Sequence, residues 1–152
     1  MVGSGQQRAE VNIDHLKVGS ATIRPSDQMR NLEVITDSSL TMEQHITSVS
    51  KAACISIRNL WRIRKDVNQC VAELLVHAFV TARLDMCNST LTGLSQYQLH
   101  RLQQLQNMAG RVVTLERKRV HFHPILQDLY WLPINQRITF QLGVLVFKAH
   151  SG

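Results

Sequence analysis

A chain of 152 residues with 44% hydrophobic and 18% charged side chains reads as globular, long enough for one domain with a moderate core rather than a disordered polyelectrolyte. No basic segment leads into an apolar run at the N-terminus and no apolar run approaches a membrane span, so a soluble, intracellular protein (cytoplasmic or nuclear) without a membrane partner is expected. The net charge of +6 is unevenly placed: residues 1–40 carry four basic and five acidic side chains and residues 41–152 thirteen and six, which points the second segment toward a polyanion such as RNA or DNA.

Residues 8–36 read as short strands. Val11-Asn12-Ile13 alternates, Ala21-Thr22-Ile23 precedes a break at Pro25, and Leu32 to Ile35 is an apolar run that ends at Asp37-Ser38-Ser39. Thr41-Met42-Glu43-Gln44 has the form of a capping box, so a helix is predicted from Met42 to about Ile63. Met42, Ile46, Val49, Ala53, Ile57 and Leu60 recur at helical spacing and form its apolar stripe. Lys51, Arg58, Arg62 and Lys65 fall within roughly 60° of one another on the opposite side, at about 100° per residue.

A second helix is predicted over residues 69–86, with Val71, Leu74, Leu75, Ala78, Phe79 and Ala82 facing inward, and Leu91-Thr92-Gly93 ends that section. Ser95-Gln96-Tyr97-Gln98 opens a third helix with Leu99, Leu102, Leu105, Ala109, Val112 and Val113 inward, packed antiparallel to the second. The basic segment Arg117-Lys118-Arg119 occupies the next connection. A short helix is then predicted from about Pro124 to Tyr130. Pro133 suits the first turn of a last helix, residues 134–149, whose nearly all-round apolar character predicts burial. The fold expected is mainly α with a small N-terminal β hairpin: an antiparallel bundle of about four to five helices.

Few residues suggest chemistry. Cys54, Cys70 and Cys87 are odd in number, lack metal-ligand spacing and fall in helical patterns, so reduced, half-buried thiols are expected. His121 and His123 have no third and fourth ligand at a known spacing and read as an exposed loop pair rather than a zinc site. Asp85 is expected to be a buried or half-buried partner for an arginine or a helix terminus, since an ionised carboxylate in a core must be paired. Tyr130 and Trp131 have the chemistry to stack on bases, but a Trp beside Leu132-Pro133 is better read as a packing anchor. The basic stripe has two readings: a solvated face, or a contact surface for phosphates.

Three blocks, Val76 to Asn88, Arg101 to Arg111 and Leu129 to Pro133, occur in order and at compatible spacing. They resemble the non-LTR (LINE-type, jockey-like) retrotransposon reverse transcriptases, whose region after the palm typically reads HAFVTSRLDYCN, RLQxVQNxAAR and LHWLP. Arg30-Asn31-Leu32-Glu33-Val34 also fits, and the resemblance runs from about Gln6 to Gly152. It implies that residues 1–38 are a remnant of palm strands with a primer-grip-like hairpin. Residues 39–152 would be a thumb-like helical domain that holds template–primer RNA or DNA by its backbone, with the polymerase palm as a further partner.

Under that reading Lys51, Arg58, Arg62, Lys65, Arg117, Lys118 and Arg119 are the nucleic-acid-binding residues. The family's metal-binding aspartate motifs lie upstream of the matched part, and this sequence has no Asp-Asp pair. Two-metal nucleotidyl transfer needs such carboxylates. No catalytic or metal-binding residue, no cofactor and no polymerase activity are therefore expected of this chain alone. Where the family has glycine in RNLGV this chain has Glu33, which is expected to strain the hairpin or bury a charge. The alternative expectation is a small helical protein–protein interaction module, or a decayed relic with no activity.

Overall fold

A computed structural model describes residues 15–24, 26–86, 88–116 and 121–151. The fold is mainly α with a small N-terminal β part, and the chain divides into two units, Met1–His45 and Ile46–Gly152. The strand expected at Val11-Asn12-Ile13 lies outside the described residues.

Among the described residues, two antiparallel hairpins make up the strands of the first unit: β1 (Leu16–Val18) with β2 (Ala21–Ile23), and β3 (Gln28–Asn31) with β4 (Val34–Asp37). Leu32 and Glu33, expected at the start of a strand, are instead the two-residue turn between β3 and β4. Both have positive φ, 46° and 71°, as a type I′ turn requires to match the twist of the strands it joins.

Asp37, at the end of β4, organises the segment that leads into the first helix. Its carboxylate accepts from the backbone N–H groups of Ser39 (2.9 Å), Thr41 (3.1 Å) and Met42 (3.0 Å) and from the Thr41 hydroxyl (2.7 Å). Burial opposes ionisation, but these bonds outweigh it and hold the carboxyl below its ordinary range. A side chain from the preceding strand thus anchors the start of α1 (Glu43–Ile63), where the local sequence suggested a self-contained capping box. His45 is buried, and its Nδ1 accepts from the Ile35 N–H at 3.4 Å. Burial pushes the imidazole below its ordinary value, which keeps that nitrogen free to accept.

In the second unit, α1 buries Ile46, Ala53, Ile57 and Leu60, members of the stripe read from spacing. α2 (Gln69–Val76) continues through a π-helical turn, His77–Thr81, into α3 (Ala82–Asp85). Here the expected inward face is wrong. Ala72, Val76, Val80 and Leu84 are buried, whereas Val71, Leu74 and Phe79 are exposed. A step of four drifts about 40° per repeat on a regular helix. The wider π turn returns Val80 and Leu84 to the side of Val76, and with apolar residues on both sides the spacing alone chose the wrong one.

α4 (Gln96–Thr114) begins with the expected capping box: Ser95 Oγ accepts from Gln98 N–H, and Gln98 Oε1 accepts from Ser95 N–H. It buries Leu102, Leu105, Ala109, Val112 and Val113 as predicted. Arg101 reaches Thr47 near the start of α1 and α4, and Arg64 bonds the carbonyls of Val112 and Val113 near their ends. Those two helices therefore run parallel, and α2 packs on α4.

α5 (Phe122–Asp128) starts slightly earlier than predicted and crosses α4 at Gly110, where an added Cβ would stand 3.3 Å from Phe122 and Ile125. Its end is a Schellman motif: Trp131 N–H donates to Leu126 C=O and Tyr130 N–H to Gln127 C=O, with Tyr130 at φ 54°. α6 (Ile134–Ser151) buries Ile134 and Ile138, but Phe140, Leu145, Val146 and Phe147 are exposed. The expectation of a buried last helix fails because neighbouring elements cover only its first turns.

Candidate nucleic-acid interface

Burying one face of α1 leaves the other to water. Lys51, Arg58 and Arg62 are exposed on it, opposite Ala53, Ile57 and Leu60. Lys65 is also exposed, but α1 ends at Ile63, so it belongs to the turn after the helix rather than to the helical stripe. Among the described residues none of the four is in an ion pair, which leaves their charge available to an anion. Arg117, Lys118 and Arg119 lie outside the described residues.

Two features of this face did not emerge from charge counting. Trp61 and Ile55 are exposed on α1 among the basic side chains, at 52% and 56%. A groove of about 520 Å³ runs between α1 and α4 beside Trp61 and Arg58. The cysteines also differ from expectation: Cys54 and Cys70 are exposed rather than half-buried. Cys87 lies outside the described residues.

Arg64 is the basic residue whose role the sequence concealed. It directly follows α1, next to Lys65, yet is only 7% exposed. Its guanidinium donates to Val112 C=O (2.7 Å), Val113 C=O (2.7 Å) and Val67 C=O (2.8 Å). The cation thereby satisfies carbonyls in the last turn of α4, where the helix dipole also favours it. Arg64 is structural, and its neighbours carry the free charge.

A second polar cluster joins residues from all three sequence blocks. Asp85 takes a bidentate pair from Arg137, with Nε to Oδ1 at 2.6 Å, and both side chains are 22% exposed. This is the half-buried arginine partnership expected for Asp85. Gln106 donates to Leu132 C=O (2.8 Å), and Gln103 Oε1 accepts the first N–H of α6, that of Ile134 (2.9 Å). His77 meets Trp131 edge to face at 5.3 Å. Trp131 is buried and packs as an anchor, while Tyr130 is 94% exposed. The hydrogen bonds of this cluster join α3, α4 and the start of α6, while the Trp131 Nε1–H is buried without a hydrogen-bond partner.

His121 and His123 are exposed, and Phe122 between them lies under the Arg111 guanidinium at 5.6 Å. Among the described residues no three His, Cys, Asp or Glu side chains are grouped to hold a metal. No helix among them is long and apolar enough to cross a membrane. The chain matches no protein-family model, and no curated protein or solved structure matches it.

Proposed function

We propose that this chain is part of a non-LTR retrotransposon reverse transcriptase and that its helical unit binds RNA or DNA through the phosphate backbone, with no nucleotidyl transfer of its own. The observation that carries the binding reading is the exposed, unpaired face formed by Lys51, Arg58 and Arg62 with Lys65 beyond it. Point charges on long side chains contact phosphate without reading bases, so binding is expected to be independent of sequence. Support for the family reading is that the three matched blocks meet one another: His77 of the first packs on Trp131 of the third, and Gln106 of the second donates to Leu132 of the third.

Fluorescence anisotropy with a labelled duplex tests the proposal. If about four phosphates are neutralised, log affinity falls against log salt with a slope near −3 to −4. Replacing Lys51, Arg58, Arg62 and Lys65 together by Gln is expected to flatten that slope and weaken all sequences alike, with the fold retained because these side chains lie outside the core. No binding in low salt, or an unchanged slope, would leave a solvated face as the better account. Template-dependent incorporation by the purified chain with magnesium would refute the non-catalytic part.

A second reading, a helical module that packs on a protein partner, is favoured by the apolar side chains that α6 leaves exposed, Phe140, Leu145, Val146 and Phe147.

A further inference from the structure

The groove between α1 and α4 has a volume of about 520 Å³, within the range that encloses a small ring system. Trp61, Met108 and Leu115 line it and are 52%, 37% and 53% exposed, so a broad apolar surface faces solvent there. Two guanidinium groups, Arg58 and Arg111, complete the lining with the carboxylate of Glu116. Arg111 is held over the Phe122 ring, and its Nε is buried without a hydrogen-bond partner.

Helical geometry ties this groove to the basic face. Trp61 lies roughly 60° around α1 from Arg58 and roughly 40° from the buried Ile57. One edge of the indole therefore borders the cationic side chains and the other borders the apolar floor.

We propose that the groove takes a single unpaired nucleobase stacked on Trp61, with the adjoining phosphate held by Arg58 and Arg111. This deepens the backbone-binding reading and rests on it. A nucleotide joins an apolar π-face to an anion a short reach away, and the groove offers an indole and an apolar floor beside two guanidiniums. A purely apolar occupant would leave both guanidiniums without an acceptor. In a duplex both faces of each internal base are already covered, so only a single strand or a frayed end can use Trp61. The site accordingly prefers single strands, a preference that the basic stripe alone would not give.

The test titrates the full chain with a homothymidine dodecamer and with a blunt duplex of equal length while following tryptophan emission. Trp131 is buried at 8% exposure and supplies a steady background, so quenching reports on Trp61. The dodecamer is expected to quench and the duplex to leave emission nearly unchanged. Trp61→Leu should abolish the quenching and weaken single-strand binding about ten-fold, the usual scale for loss of one base–aromatic stack. Its duplex affinity and salt slope should stay as in the parent.

Salt-dependent binding with equal single-strand affinity in the parent and Trp61→Leu would overturn this inference and leave the backbone reading standing. Failure of both oligonucleotides to bind in low salt would overturn both. Equal quenching by an uncharged amphipathic peptide, persisting in high salt, would make the groove a protein-docking site and overturn the nucleobase assignment.

Discussion

At Glu33 one of the two expected difficulties is present and the other is not. Its place in a pattern where the family carries glycine marked it as a misfit, through either backbone strain or a buried charge. The charge is not buried: the carboxylate pairs with Arg30 on the surface, each side chain 64% exposed. Strain remains, because Glu33 occupies the left-handed region at φ 71° next to Leu32 at φ 46°. A non-glycine residue there costs about 1–2 kcal/mol, and glycine's extra freedom when unfolded returns part of that. Glu33→Gly is expected to stabilise the β3–β4 hairpin by about 0.5–1 kcal/mol, seen as slower amide exchange at Met29 to Thr36. The exposed ion pair contributes little, so Arg30→Gln should leave exchange nearly unchanged. Faster exchange in Glu33→Gly would mean that the Arg30 pair, not the turn, holds the hairpin.

At the scale of elements, the legible helices were those with one apolar face. α1 and α4 separate buried from exposed side chains so cleanly that spacing recovered Ile46, Ala53, Ile57 and Leu60 on one and Leu102, Leu105, Ala109, Val112 and Val113 on the other. In α2 apolar residues occupy both sides and a π turn alters the period, so long-range packing chose Val76 and Val80 over Leu74 and Phe79. Helix ends were legible only where the cap is local. Ser95 and Gln98 lie three apart and announce themselves, whereas Asp37 reaches α1 from a strand and Arg64 reaches α4 across nearly fifty residues. That second reach has a measurable consequence. Arg64→Met would leave the carbonyls of Val112, Val113 and Val67 without their donor, at a cost of about 3 kcal/mol. The midpoint of thermal unfolding is expected to fall by roughly 6–12 °C. Arg64→Lys should recover only part of this, since an ammonium cannot span three acceptors as a planar fork does. A loss within about 1 °C for Arg64→Met would show that solvent satisfies those carbonyls equally well.

For the whole molecule, two surface properties respond to salt in opposite directions. Residues 41–152 carry thirteen basic and six acidic side chains, so copies of the chain repel one another at low ionic strength while polyanions are drawn in. Phe140 and Phe147 on α6, at 61% and 69% exposure, offer apolar surface whose association salt does not weaken. Raising salt screens the repulsion and leaves the apolar attraction. If α6 is a protein-binding face, the average mass in sedimentation equilibrium should rise with chain concentration and rise further between low and high salt, opposite to nucleic-acid affinity. Phe140→Ser with Phe147→Ser should return the chain to a monomer at both salts, with thermal stability altered by no more than about 0.5 kcal/mol because both side chains are already exposed. A parent chain that stays monomeric across the whole range would remove self-association as the use of this face, because screening the charge repulsion would then have left no apolar attraction to bring copies together.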